Sequence, residues 1–391
     1  MPKSATPSFQ SILSKASKTY ELPIGPMTDV EPVPALSTGN LGIDYITGVG
    51  GLPYGRSVEL YGHPSCGKTT TALQAAAELQ HEIISSGAEE YICYFDHEQA
   101  LDPEYCEALG LDLAHPSWLF AQPDSLQQST NVSRHLIDTG KVRLAIWDSV
   151  ASMTPEDMLT QESGKATVAM QARLMAEFMK QLNPLLRKHK CVAVFLNHIR
   201  DVIDMSGPPG VKRTTTPGGT ALKYYASLRM EYAQTKKNYR DVIDPLTQAK
   251  VKRIDSVEVK IKVVKNKVAV PFRQAEARVR FGRGFDNGFT AFCILRDHGV
   301  IAKGDGQFFY FHQDAAAPLR TDDMPRKQGS DRPYLRGEPG VIQKLDEDEG
   351  WRLKVIQMAG EVVAEAGLVA PKQPEEAPEI PNLEELARSS S

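Results

Sequence analysis

Gly62-His63-Pro64-Ser65-Cys66-Gly67-Lys68-Thr69 is the stretch whose residue types and spacing speak most directly of chemistry. It fits G-x-x-x-x-G-K-[ST], a loop whose backbone N–H groups converge on an anion while the following helix adds its positive end. Lys68 would place a point charge on the outer phosphates of a nucleotide, and the Thr69 hydroxyl suits Mg²⁺. With Thr70, the run from Gly62 is the predicted nucleotide cradle. His63 and Cys66 sit where backbone does the binding, so their side chains are read as incidental.

Two carboxylates extend this site. Leu144-Ala145-Ile146-Trp147-Asp148 is an apolar strand ending in an acid, and Asp148 would complete the metal site begun by Thr69. Attack by water needs a group that orients or deprotonates it, and Glu98, just past the strand Tyr91–Asp96, is the choice. Alone, Glu98 would read as a surface acid near the helix start at Asp102-Pro103-Glu104, and the neighbouring motifs turn the reading to catalysis.

Basic residues form two further groups. Lys262-Val263-Val264-Lys265-Asn266-Lys267 is read as a strand with its three lysines alternating onto one face. That face is either a lysine-guarded edge or a cationic clamp on developing phosphate charge. Asp201 to Gly219 is long and rich in Gly, Pro and Thr, and includes Lys212-Arg213-Thr214-Thr215-Thr216-Pro217-Gly218-Gly219. Cations, hydroxyls and backbone N–H groups in such a loop suit phosphodiesters. A second loop runs from Asp157 to Thr167.

The elements that must position these groups follow from the apolar pattern. From Ser37 to about Phe281 strands and helices alternate, which predicts an α/β core with a mainly parallel sheet. The predicted strands are Ser57–Tyr61, Tyr91–Asp96, Leu144–Trp147, Cys191–Asn197, Leu228–Tyr232, Val257–Val264 and Ala275–Phe281. Ligands of such sheets sit beyond the carboxyl ends of the strands, where Asp96-His97-Glu98, Asp148-Ser149 and Asn197-His198 gather. Val168 to Leu186 has the apolar stripe of a helix, which Pro184 is expected to kink or end.

The organisation reads as an oligomerisation arm over 1–36, a core over 37–285, a small α+β C-terminal domain over 286–367 and a disordered acidic tail over 368–391. In the arm Phe9 to Tyr20 could form a helix, and Trp351–Ala366 is the best helix beyond the core. Hydrophobic residues make up 41% and charged residues 24%, ordinary for a globular chain of 391 residues. No apolar run is long enough for a bilayer, so no membrane partner is expected. Five unpatterned cysteines point to a reducing, cytoplasmic setting without a zinc site. A net charge of −4 is no advertisement for nucleic acid, so any DNA contact must come from local basic loops.

These motifs, in this order, closely resemble the RecA recombinase family over about residues 36–285. The matching blocks include Leu36-Ser37-Thr38-Gly39, Gly50-Gly51-Leu52-Pro53, the phosphate loop, Phe95-Asp96-His97-Glu98, Trp147-Asp148-Ser149, Phe195-Leu196-Asn197-His198, Thr214 to Ser227 and Val263-Val264-Lys265-Asn266-Lys267. The resemblance implies an ATP- and Mg²⁺-dependent filament on single-stranded DNA that pairs with homologous double-stranded DNA and exchanges strands. It also implies recombination mediators or a single-strand-binding protein as partners, and a nucleoid setting, in a host cell if the chain is phage-borne.

By the same resemblance Glu98 is the catalytic glutamate, and Asp102 and Tyr105 contact adenine. Lys265 and Lys267 reach the nucleotide of an adjacent subunit, with Tyr224 and Lys223 at that interface. Arg173, Arg200 and the 201–219 loop contact DNA. His198 stands where bacterial members usually carry a glutamine that senses the terminal phosphate, and a histidine there can titrate near neutral pH. The arm does not clearly match the family's polymerisation segment, and Arg229 to Val257 is long and charged. A ring helicase on the same core is the alternative. The Lys-Asn-Lys strand and Gly218-Gly219 favour the recombinase.

Overall fold

The computed structural model describes residues 8–20, 24, 32–159, 168–202, 213–244, 246–304, 308–311, 314–326 and 333–366. The predicted acidic tail, most of the loop Asp157–Thr167 and the segment 203–212, with Lys212, lie outside the described residues. Near the N-terminus, α1 (Phe9–Thr19) starts at Ser8, whose hydroxyl accepts from Ser11 N–H.

From residue 34 the elements follow in order. A short pair, β1 (Ala35–Leu36) with β2 (Leu52–Pro53), brackets α2 (Leu41–Thr47). Then come β3 (Ser57–Gly62), α3 (Lys68–Ser86), β4 (Tyr91–Asp96), α4 (Pro103–Ala108), β5 (Trp118–Ala121), α5 (Leu126–Asp138), β6 (Val142–Asp148) and α6 (Glu156–Leu159). Next are α7 (Val168–His189), β7 (Val192–His198), β8 (Arg200–Val202), β9 (Arg213–Thr215), α8 (Gly219–Tyr225), β10 (Leu228–Ile243) and β11 (Lys250–Asn266). The chain continues through β12 (Gln274–Arg280), β13 (Gly284–Phe285) and α9 (Asn287–Asp297). It closes with β14 (Ala302–Lys303), β15 (Phe308–Tyr310), β16 (Tyr334–Arg336), α10 (Gly337–Glu347) and α11 (Glu349–Glu365).

Nine strands form one sheet in the order β13-β12-β11-β10-β3-β7-β6-β4-β5. From β10 to β5 all neighbours are parallel, and from β10 to β13 they are antiparallel. The fold is thus the predicted α/β core with a mainly parallel sheet. Strands buried on both faces explain the near-continuous apolar runs. Val58, Leu60, Ile92, Tyr94, Leu144 and Ile146 pack on one face with Leu73 and Ala76 of α3. Their neighbours Cys93, Phe95, Ala145, Trp147, Ala193 and Phe195 face Met175, Phe178 and Met179 of α7. Trp147 stacks between Phe95 and Phe195, with ring centroids 5.3 Å and 4.6 Å away.

Three sequence expectations need correction. Pro184 neither ends nor breaks α7, which runs on to His189. The carbonyl that loses its N–H partner belongs to exposed Lys180, where solvent can serve it, while buried Leu182 and Leu186 hold the helix to the sheet. The strand predicted at Leu228–Tyr232 continues to Ile243, and that at Val257–Val264 spans 250–266. The long charged segment is therefore a paired β-hairpin. Finally, Lys262 and Lys265 are three residues apart, so regular alternation would put them on opposite faces. An irregularity at Val263–Val264 restores the common face: Lys262 pairs with Glu231 and Lys265 with Arg229, two residues apart on β10.

The C-terminal segment builds a cluster of its own, with Phe289, Phe292, Phe311, Trp351 and Val355 among its buried members. Arg278 and Arg280 of β12 meet Asp286, and Arg280 also meets Asp346 of α10, tying that cluster to the sheet.

Candidate nucleotide site and basic surfaces

The ends of β3, β7, β6 and β4 lie side by side, so the sheet register brings four polar strand ends together. Gly62 pairs with His198, and Asp96 pairs with Asp148. The loop after β3 wraps the start of α3. A Cβ on Gly62 would lie 2.3 Å from the Tyr232 carbonyl oxygen, so only glycine fits there. Lys68 is buried, and its ammonium donates to the carbonyls of Gly62 (3.2 Å) and His63 (2.8 Å). Cys66 was read as incidental, but its thiol donates to the same His63 carbonyl at 2.7 Å and packs beneath the loop. Burial raises that thiol, so it stays protonated.

Thr69 Oγ1 donates to Asp148 Oδ2 at 3.0 Å, and Tyr94 OH donates to the same oxygen at 2.7 Å. Burial raises the Asp148 carboxyl. A hydroxyl and a carboxylate side by side next to a phosphate loop are the hard oxygen donors Mg²⁺ takes, and the pair fits that ion.

Glu98 is held from two sides. His198 Nε2 lies 3.0 Å from Glu98 Oε1, and the Ser149 hydroxyl donates to the same oxygen. The His198 hydrogen bond is the main reason that the Glu98 carboxyl falls below its usual range. The turn carrying Glu98 is fixed by Asp96, which sequence reasoning left without a task. Its carboxylate accepts from the N–H groups of Glu98, Gln99 and Leu101 at 3.1, 2.8 and 3.3 Å.

A cavity of about 520 Å³ opens beside the loop. Asp102, Tyr105, Val279 and Phe281 line it, and Tyr105 OH sits 2.8 Å from Thr70 Oγ1. Asp102 and Tyr105 thus lie in a cavity beside the phosphate loop. Val279 and Phe281 were missed, because only the sheet order brings β12 to this cavity.

Lys265 and Lys267 are not at this site. Lys265 Nζ donates to the carbonyls of Lys223 and Tyr224 at 2.6 and 2.8 Å, and Lys267 Nζ to that of Tyr224 at 3.0 Å. Burial, then the charge of Lys267, lowers Lys265 to about 8. Lys265 pairs with Arg229, which pairs with Glu59 of β3, three residues before Gly62. The Lys267 N–H donates to the Ser227 carbonyl next to Ser57, five residues before Gly62 and so roughly 16 Å along the strand. Tyr224 is 73% exposed there, and Lys223 Nζ donates to Thr215 Oγ1 at 2.9 Å.

The whole constellation matches a known lineage. The model for the RecA N-terminal domain matches residues 9–286. Protein RecA of Thermotoga neapolitana is 36% identical over 350 residues, which cover 86% of this chain and 91% of that protein. Protein RecA of Lactobacillus acidophilus is 36% identical over 323 residues, covering 82% and 79%. Protein RecA of Cutibacterium acnes is 34% identical over 349 residues, covering 88% and 90%. The chain belongs to the RecA family. It is a RecA-family recombinase, a class that works in DNA recombination and repair and binds ATP and DNA. No helix among the described residues is long and apolar enough to cross a membrane.

The resemblance to RecA assigns several residues to DNA, of which Lys212 lies outside the described residues. Arg173 on α7 is exposed and ion-paired to Glu177 at 3.4 Å. Arg200 opens β8, two residues beyond His198 and paired with Thr215 of β9. Arg213 and Thr214 continue β9 by backbone. Gly218 and Gly219 have positive φ, and a Cβ on them would meet Val150 at 2.9 Å and Ala172 at 2.6 Å. Their first task is therefore close packing where α8 enters.

Proposed function

We propose that this RecA-family protein is a DNA-dependent ATPase. It polymerises as a helical filament on single-stranded DNA, pairs with homologous duplex and exchanges strands. The observation that supports this most is the separation of its two cationic groups. Lys68 attends its own phosphate loop, while Lys265 and Lys267 turn away from it to the carbonyls of Lys223 and Tyr224, a position that suits the nucleotide of a second copy.

The reaction then divides among named residues. Backbone N–H groups of 62–69 and Lys68 hold the phosphates. Asp102 and Tyr105, with Val279 and Phe281, hold the adenine. Thr69 and Asp148 would hold Mg²⁺, which neutralises charge on the phosphate oxygens when bound. Glu98 accepts a proton from the attacking water, and His198 and Ser149 keep its Oε1 in place. Lys265 and Lys267 stabilise charge on the neighbour's phosphates, beside Tyr224 and Lys223 at the subunit contact. Arg173, Arg200, Lys212, Arg213, Thr214, Thr215, Gly218 and Gly219 form the single-strand contact, and the arm over 1–36 serves polymerisation.

Strand exchange between labelled homologous DNAs, with ATP and Mg²⁺, tests the whole reading. Product should form only with homology and should vanish in Lys68→Ala. Unwinding of a forked duplex without homology would establish the ring-helicase alternative instead.

A further inference from the structure

Glu59 is an acid in the middle of the parallel sheet. It sits on β3, three residues before Gly62, and is wholly buried, yet no step of the reaction proposed above uses it. An acid placed there is costly unless its oxygens are paired. Both are paired. Glu59 Oε2 accepts from Arg229 Nε, directly opposite on β10, and Glu59 Oε1 accepts from Asn197 Nδ2 at 2.9 Å. Among the described residues Arg229 is the one cation within ion-pair distance of Glu59, and its guanidinium lies 4.7 Å from the Tyr61 ring centroid. An apolar pair of similar size often serves stability as well as a buried ion pair does, so stability alone does not account for the acid.

What the acid holds is Asn197, itself buried at the end of β7. Both ends of this amide are in use. Its Nδ2 group donates to Glu59 and to the Pro217 carbonyl at 3.0 Å, and its Oδ1 accepts from the His198 N–H at 2.9 Å. The carboxylate permits one orientation, because the flipped amide would set its oxygen against Glu59. Pro217 stands between Thr215 and Gly218, two members of the proposed single-strand contact. His198 carries the imidazole that meets Glu98. One buried amide therefore joins that contact to the residue beside the proton acceptor, and Glu59 sets how the amide lies.

We propose that Glu59 is a positioning residue for turnover: acting through Asn197, it lets single-strand contact around Thr215–Gly219 adjust the hold of His198 on Glu98. Its own oxygens are taken up by Arg229 and Asn197, so its effect reaches the reaction through them. The inference rests on the chain being a DNA-dependent ATPase, as proposed above.

Glu59→Gln breaks one contact selectively. A carboxylate accepts on both oxygens and an amide on only one. Arg229, the charged donor, takes that oxygen, so the new amide nitrogen faces the Asn197 nitrogen, donor to donor. Phosphate release is measured on the full-length protein with ATP and Mg²⁺, with and without single strands. The stimulated rate should fall about 10-fold or more relative to the unstimulated one, the size of a lost hydrogen bond to a charged group, while the KM for ATP holds. Asn197→Ala should show the same loss, and E59Q/N197A should be no worse than N197A, because both act through one contact. A ratio of the two rates that stays as in the unsubstituted protein, in either variant, overturns the proposal. So do losses that multiply in the double variant, which would make Glu59 act by a route other than Asn197. N197A leaves the buried ion pair intact and carries the test should E59Q not fold. If the unsubstituted protein shows no response to single strands, the functional reading fails and this coupling with it; where a response is present, only the coupling is at stake.

Discussion

The two ends of the parallel strands make an instructive pair. At the carboxyl end Lys68, Thr69, Asp148, Glu98 and His198 already touch one another or their own backbone. Toward the amino end Lys265 and Lys267 share the Tyr224 carbonyl, Lys265 also donates to that of Lys223, and burial, then the charge of Lys267, lowers Lys265 to about 8. Two cations serve the last carbonyls of α8, beside an exposed Tyr224, and under the proposed reading they are half of a site. The first end is organised within one chain; in that reading the second is completed by a neighbour's phosphate. Under the proposed reading, that difference makes ATP turnover a property of the polymer.

Breaking the organised end should have the largest effect. Glu98→Gln removes the proton acceptor while keeping a hydrogen-bonding shape, and turnover should fall by about 10²–10⁴-fold in a phosphate-release assay. DNA binding with ATP should persist. An enzyme that still turned over at near-normal rates would remove Glu98 from the chemistry.

The incomplete end is tested by mixing. Lys265→Ala with Lys267→Ala should abolish single-strand-stimulated turnover by roughly 10²–10³-fold, the size of one lost transition-state charge contact. Combining that variant with Glu98→Gln should recover part of the rate, because some interfaces then join two intact halves. No recovery in the mixture would mean that each chain works alone.

A proton-linked prediction sharpens the same contrast. Lys265, lowered to about 8, is partly neutral near pH 8, and phosphate from a neighbour would favour its charged form. ATP-driven assembly should therefore take up protons near pH 8 and weaken as pH rises above it. Calorimetry in buffers of different ionisation enthalpy reads the uptake, which Lys265→Ala should cancel. The smallest effect belongs to His198. Replacing this imidazole with glutamine keeps a hydrogen-bond donor for Glu98 Oε1, so turnover should change by no more than a few-fold in a phosphate-release assay.

Local motifs were legible because their function lies in contiguous chain. The phosphate loop, Asp148 and Glu98 each follow a strand whose apolar run announces it, and the parallel register does the rest. What escaped depended on long-range geometry. Val279 and Phe281 reach the cavity beside the phosphate loop through the placement of β12, far along the chain. The Asp96 clamp on Glu98 is a side-chain-to-backbone pattern with no residue-type signature. The projecting half of the hairpin has polar residues on both faces, so no apolar alternation marked it as strand. At Pro184 the helix does not end, one of the two outcomes expected there, and it runs on to His189 with Leu182 and Leu186 buried.

The aromatic stack in the sheet has a practical consequence. Trp147 precedes Asp148, and its indole is wedged between two phenyl rings and tied to the Ser129 hydroxyl at 3.2 Å. The chain's two other tryptophans lie elsewhere, Trp118 on the edge strand β5 and Trp351 in the C-terminal cluster. Nature has thus fitted a native fluorophore one peptide away from the acid that faces Thr69, where ligand arrival can be watched as a change in emission without attaching a dye.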